Sequence, residues 1–264
     1  MKIESSSNQL EIQEKARQYE KICGGKPDCI SVLTSGIKEN LPVANTRFKS
    51  SSYSEVDEHD LVVSGKARVM ATAELSAYFP EAKIITNGSG EIKSKISDQD
   101  IIVDTSQIIS QELEYLGVNR ENIIRQDKSY STFTELIELI KLISENKWRN
   151  VVVMVSELQK SRSEAMFERM DSLHDPNGAS EAKDFKRALE EFKKKDVTVK
   201  FVSAEDILPL RSKHYETVIE QARQSQAWQK RAKVEEEGAE QIISGEYWGK
   251  LPGSFVRPHD DQSK

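Results

Sequence analysis

The sequence predicts an α/β protein: a Rossmann-like, mostly parallel sheet of about five strands with helices on both faces, followed by a C-terminal helical appendage. Three observations predict it. Apolar, β-branched runs of strand length alternate with segments of helical period between residues 29 and 202. That alternation implies right-handed crossovers and a sheet covered on both sides. Val151 to Val155 is apolar at every position, as expected of a central parallel strand. Beyond Pro209 the strand signal stops, and residues 211–247 are rich in Gln, Lys, Arg and Glu.

In chain order, residues 8–22 read as a surface helix with a thin apolar stripe, opening at Asn8 with Glu11 as its capping-box partner. Cys29 to Thr34 is the first strand and stops at Ser35 and Gly36. Residues 38–60 have no clean period and read as a long loop with short elements; loops of that length are often functional. A helix over 64–79 ends at Pro80, with Val69, Ala73 and Ala77 on one face. Ala82 to Thr86 is the second strand, closed by Asn87-Gly88-Ser89-Gly90. Residues 105–116 form a helix with Ile109, Leu113 and Leu116 in phase and Gly117 as its stop. Asn122 to Arg125 is a short third strand. Thr132 to Ser144 is the clearest helix, with Phe133, Leu136, Ile137, Ile140 and Ile143 on one face. The fourth strand, Val151 to Val155, is followed by a helix over 160–171, a loop from His174 to Gly178, a charged helix over 180–194 and a fifth strand from Val197 to Val202. The expected divisions are an N-terminal helical segment (1–26), the Rossmann-like domain (27–204), the helical appendage (205–250) and a flexible tail (251–264). The appendage is expected to pack with the N-terminal helix.

Composition bounds the function. The chain has 264 residues, 37% hydrophobic and 31% charged, with 38 basic against 44 acidic side chains and a net charge of −6. Nucleic-acid binding through a basic surface is not expected, because it needs concentrated Lys and Arg to displace counterions. The longest apolar run, Val151 to Val155, is far short of the roughly 20 residues that span a bilayer. The first residues, MKIESSSNQLEIQ, lack the apolar core of a secretory signal. A cytoplasmic protein without a membrane span is the expectation. Cys23 and Cys29 fit neither a zinc site nor a C-x-x-C redox pair, and the four histidines are scattered. No metal site is expected. Zincin, serine-hydrolase and phosphate-loop patterns are absent from the sequence. Asn87-Gly88-Ser89-Gly90-Glu91 begins like a dinucleotide fingerprint, but Lys93 stands where the third glycine belongs.

In an open parallel sheet, ligands bind beyond the C-terminal ends of the strands. Those positions here hold Thr34, Ser35 and Gly36; Asn87, Gly88, Ser89 and Gly90; Asp127, Lys128, Ser129, Ser131 and Thr132; and Ser156 and Glu157. Small residues leave room for a ligand and present backbone N–H groups to an anion, although Ser, Thr and Asn are also ordinary helix caps. Arg68 and Arg162 are the favoured cations, since a guanidinium fork suits phosphate or carboxylate. Lys66, Arg47 and Lys160 are weaker choices, and the alternative role for Arg162 is a solvated pair with Glu157 or Glu164. Asp127 and Glu157 are the carboxylates best placed at strand ends to serve as a catalytic base.

The order of segments ISVLTSG, ARVMATAELSAYFP, KIITNGSG, LEYLGVNRENIIRQDKSYSTFTE and VVVMVSELQKSR resembles the ElyC/SanA/YdcF (SanA/YdcF-like) family over about residues 28–205. The resemblance implies a Rossmann-like fold; members are linked to bacterial envelope functions or lack an assigned role, and many carry a membrane anchor, which is not expected here. Thr132, Ser156 and Arg162 match the family pattern. Ser131 replaces an Asn, Thr134 and Glu135 stand where Glu and Asn are expected, Val155 replaces a Thr, and Gln159 occupies the position of a His.

Two functions follow as expectations. One is a protein binding a small anionic or nucleotide-like ligand, such as a nucleotide, a sugar phosphate or S-adenosylmethionine. It would be a transferase or hydrolase with diverged catalytic residues. Its ligand contacts would be Ser35, Gly36, Arg68, Asn87, Gly88, Ser131, Thr132, Ser156 and Arg162. The alternative is a non-catalytic scaffold whose appendage meets a protein partner through Trp228, Tyr247 and Trp248.

Overall fold

A computed structural model describes residues 3–34, 36–39, 48–57, 59–93, 100–173, 178, 180 and 182–247. Helix α1 (Ile3–Cys23) precedes β1 (Cys29–Val32), and a short antiparallel ladder, β2 (Ile37–Glu39) with β3 (Phe48–Ser50), follows. Then come α2 (Gly65–Tyr78), β4 (Lys83–Asn87), and a second antiparallel pair, β5 (Gly90–Lys93) and β6 (Asp100–Val103). Helix α3 (Thr105–Tyr115) leads to β7 (Ile123–Gln126), α4 (Thr132–Glu145) to β8 (Asn150–Val155), and α5 (Glu157–Glu168) with α6 (Lys183–Lys194) to β9 (Thr198–Ser203). The chain continues through α7 (Ala204–Arg211), α8 (Lys213–Arg223) and α9 (Gln226–Ser244).

Five strands form one parallel sheet in the order β7-β4-β1-β8-β9. The chain builds outward from β1 through β4 to β7, then returns to β8 on the other side of β1. The strand order therefore reverses between β1 and β8, and such a switch point opens a crevice at the C-terminal edge of a parallel sheet.

Alternation along each strand explains the two layers. Ile30, Val32, Ile84, Val152, Met154 and Val202 pack into one buried cluster with α2, α3 and α7. Cys29, Leu33, Ile85, Val151, Val153, Val155 and Phe201 point the other way, into a cluster with α4, α5 and α6. All five sheet strands expected from the sequence are present, because each is apolar on both faces. The expected α4 face is buried as well, from Phe133 through Leu136, Ile137 and Ile140 to Ile143.

Several boundaries differ. Helix α1 runs through Asn8 to Ile3: the capping signal at Asn8 is overridden because no Pro or Gly stops the helix before it. Helix α5 begins at Glu157 rather than near residue 160, because Ser156 at the very end of β8 serves as its cap. The turn expected at Asn87–Gly90 leads at once into the β5–β6 ladder, and β2–β3 gives the 38–60 stretch a ladder of its own. The boundary expected at 204/205 falls where β9 passes directly into α7, whose cap is Ser203. Helix α7 packs along α2 and touches α1, while α9 lies along α5. The tail at 251–264 and the loop at 174–177 lie outside the described residues. Among the described residues no helix is long and apolar enough to cross a membrane.

Candidate functional site

The hydroxyls at the strand ends act first as helix caps. Ser131 accepts from Thr134 N and forms a capping box with Thr134 at the start of α4. Ser156 accepts from Gln159 N on α5, Ser203 caps α7, and Asp104 caps α3. Thr132 is the first residue of α4. Gly36 uses its carbonyl to accept from both the backbone N–H and the hydroxyl of Ser51, at 2.6 and 2.5 Å.

Behind these caps, the ends of β1 and β4 are bound tightly together. Asn87 is buried and donates its side-chain amide to Ser31 Oγ at 2.9 Å and to Val32 O at 3.0 Å. Its own carbonyl accepts from Thr34 Oγ1 at 2.5 Å and Thr105 Oγ1 at 3.2 Å. Gly88 follows at φ +92, where a Cβ would come within 2.8 Å of Thr105 Oγ1 and 2.9 Å of Thr34 Oγ1. Only glycine fits this turn without strain.

The crevice at the switch point holds charge. Arg68, on α2, is 1% exposed and donates to Gln159 Oε1 on α5 at 2.6 Å. The two residues join the helices on opposite faces of the sheet across its C-terminal edge. Glu135, in the first turn of α4, is buried and accepts from Thr34 N at 3.0 Å. Burial pushes its carboxyl up to about 7, against the pull of Thr34, Arg68 and Arg162. Burial likewise lowers the Arg68 guanidinium to about 10, while Glu135 and Glu205 counter the shift. Glu135 Oε2 and Asn87 Oδ1 are buried acceptors without a hydrogen-bond partner among the described residues. Buried acceptors of this kind call for a donor.

A second carboxylate, Glu205 at the start of α7, sits at the N-terminus of α5. It accepts from Glu157 N at 2.7 Å and from Tyr53 Oη at 2.8 Å. Burial raises its pKa, and these two bonds oppose the rise. An internal carboxylate thus holds a position where a helix N-terminus attracts anions.

Arg162 has a partner on α9. Its Nε and Nη2 donate to the two carboxylate oxygens of Glu235, and its Nη1 donates to Tyr247 Oη at 3.0 Å. The solvated pair with Glu157 or Glu164 does not form: α9 presses on α5 and supplies a buried carboxylate instead. Burial works against the charge of Arg162, but Glu235 and Tyr247 hold its pKa above the usual value. Burial also disfavours charge on Glu235, yet Arg162 and Arg231 keep its carboxyl below the usual range. Gly238 permits the close approach, since a Cβ there would lie 2.9 Å from Arg162 Cδ.

The structure therefore brings Arg68, Asn87 and Gly88 of the expected contacts to one edge, with Ser156, the cap of α5, and Arg162 on α5 beside them. It does not bring in the two expected catalytic carboxylates. Asp127 is exposed beyond β7, and Glu157 is exposed and paired with Arg223. Ser35, Arg47 and Trp248 lie outside the described residues. Glu135, Glu205, Glu235 and Tyr53 were not singled out for chemistry from the sequence, and Gln159 was marked only as a departure from a family pattern. One signal was legible: Arg68 stands in the otherwise small and apolar run ARVMATA, and Glu135 among Phe133, Leu136 and Ile137. A charge within an apolar helical run must find a buried partner.

Cys23 and Cys29 are buried free thiols. A cavity of about 260 Å³ between α6 and the segment that follows α5 is lined by Met170, Leu173, Phe185 and Leu189 with Lys186 and Lys193; none of the expected site residues lines it. Among the described residues, no cluster of three His, Cys, Asp or Glu is arranged to hold a metal. No protein-family model, no curated protein and no solved structure matches the chain.

Proposed function

We propose that the chain binds a small, hydroxyl-bearing anion in the crevice between β1 and β8, and that Glu135 exchanges a proton there. The observation that carries this reading is the convergence of Arg68, Glu135 and Gln159, from three separate helices, at the point where the strand order reverses. Arg68, Arg162 and Arg231 stand against Glu135, Glu205, Glu235 and Asp57, which lies 3.9 Å from Arg231, so with every carboxyl ionised the cluster holds one more carboxylate than guanidinium. A carboxyl that titrates near 7 changes that balance at neutral pH: its protonated form removes the excess negative charge that would repel an anion. The free acceptor atoms of Glu135 and Asn87 suit a ligand hydroxyl. A sugar phosphate or a nucleotide combines both features, and S-adenosylmethionine offers a carboxylate with ribose hydroxyls. The segment order that resembles the SanA/YdcF-like proteins agrees with this reading. A transferase or hydrolase reaction would use Glu135 as the proton acceptor, because a base works best when its pKa lies near the operating pH. Two of the three anchors of the scaffold reading, Trp228 and Tyr247, are buried within the chain itself.

The test is a thermal-shift and calorimetric screen against nucleotides, sugar phosphates and S-adenosylmethionine. A ligand at 100 times its Kd stabilises the fold by about 2.7 kcal/mol. The stabilisation is expected to be lost in Arg68→Lys, whose ammonium cannot reproduce the guanidinium fork. Absence of any hit, or a hit indifferent to Arg68→Lys and Glu135→Gln, would overturn the proposal.

A further inference from the structure

Every core residue of the crevice is buried: Arg68, Asn87, Glu135, Ser156 and Gln159. A ligand must therefore enter past something that moves. At the α5 end of this edge sits a cap with its own small core. Trp228 of α9 packs with Val62 and Ala222, against Tyr53, Leu158 and Ala227, as a cluster separate from the two layers that sandwich the sheet. Tyr53 also packs against the core layer on the α2 side of the sheet, and polar ties add to it. Tyr53 donates to Glu205, Arg231 reaches Asp57 at 3.9 Å, and Arg223 pairs with Glu157.

Helix α9 has two differently held halves. Its C-terminal half is fixed in the main core through Ile242, with Tyr247 just beyond the helix in the same cluster. Its N-terminal half carries Trp228, Arg231 and Glu235. Gly238 lies between them, and a glycine inside a helix is a weak point in its backbone. Glu235 takes bonds from both Arg162 and Arg231, and Arg162 and Arg231 also act electrostatically on Glu135 and Arg68 respectively.

We infer that the first half of α9, together with Tyr53 and Val62 that pack on it, is a lid over the crevice, latched by Glu235, whose carboxylate holds Arg162 of α5 until an incoming anion competes for it. The competition rests on the proposed ligand-binding function; the lid itself does not. Opening is reversible and breaks no covalent bond. In the lidded state the Arg162 guanidinium is satisfied internally by Glu235 and Tyr247, so the chain competes with an anion for that group.

Hydrogen–deuterium exchange on the full chain tests the lid without any ligand. Glu235→Gln is expected to raise exchange in residues 226–237, 53–57 and 59–63 on the order of 10- to 100-fold, leaving β1, β8 and residues 239–244 unchanged. Unchanged exchange, or a rise spread over the whole sheet, would overturn the lid. Glu235→Asp retains the charge but shortens its reach, and is expected to give the same local pattern at smaller amplitude if Glu235→Gln fails to fold. Titration with inorganic phosphate tests the competition: the variant should bind it roughly 10-fold more tightly than the wild type. Equal affinity overturns the competition alone. Binding by neither protein overturns the competition and weighs against the proposed function, while the exchange pattern still decides the lid.

Discussion

Replacing Glu135 with Gln separates burial from ion pairing at the crevice. The amide mimics the protonated acid and keeps an oxygen that accepts from Thr34 N. In the folded protein the carboxyl titrates near 7 rather than at its ordinary 4.5. At about 1.4 kcal/mol per pH unit, that displacement corresponds to about 3 kcal/mol. The sign follows from linkage. Between pH 4.5 and 7 the folded state holds the proton and the unfolded chain has released it, so stability falls as pH rises through this window. The contribution is fully present below 4.5 and gone above 7. Glutamine has nothing to lose there. Urea denaturation of both proteins at pH 4.5, 6, 7 and 8 should show the Gln variant gaining about 2–3 kcal/mol on the wild type across the series. Titration of Glu205, also raised by burial, is common to both proteins and cancels in the difference to first order. A difference independent of pH, or one that narrows as pH rises, would mean that Arg68 outweighs burial and that Glu135 stays ionised. It would also remove the proton-exchange role.

Other substitutions probe separate links. Gly88→Ala forces φ +92 on a residue with a Cβ and drives that atom to 2.8 Å from Thr105 Oγ1; chemical denaturation should show a loss of about 1–3 kcal/mol, and ligand binding should fall with it. Tyr53→Phe removes one of the two donors to Glu205, at an expected cost of about 1.5–3 kcal/mol; a variant as stable as the wild type would show that Tyr53 Oη and Glu205 each prefer water. Ser131→Ala breaks the capping box of α4 and should cost about 1 kcal/mol, read as a lower melting temperature. Phe133→Ala opens a cavity under α4, where Phe133 is 1% exposed, and should cost about 3–5 kcal/mol.

The sheet was legible because its signal is local and redundant. Val151 to Val155 and Ile84-Ile85 are apolar on consecutive residues, which is what a strand with helices on both faces requires. The two small ladders were hidden for the opposite reason. Gly90–Lys93 and Ile37–Glu39 mix charge with single apolar residues, and a three- or four-residue strand carries too few positions for a period to emerge. Helix starts slipped where one residue serves two elements. Ser156 closes β8 and caps α5, so the expected gap between strand and helix does not exist.

The site was legible only in outline, and the reason is physical. Strand ends can be located from the sequence, so Asn87, Gly88 and Ser156 were found with their neighbourhood. The partner of a buried charge cannot, because it is chosen by packing between elements distant in the chain. Arg162 and Glu235 are 73 residues apart, Arg68 and Gln159 91, and Thr34 and Glu135 101. Each of these pairs also fills a position that local rules assign to something simpler: Glu235 and Arg231 look like an ordinary i, i+4 surface pair on α9, yet Glu235 is 3% exposed. What distinguishes them is the cost of burying an unpaired charge, which obliges a fold that buries Arg68 and Arg162 to bury carboxylates beside them. The predicted ligand contacts and the internal contacts are therefore the same atoms. Arg162 is already held by a carboxylate on α9, so an anion that takes Arg162 has to displace Glu235.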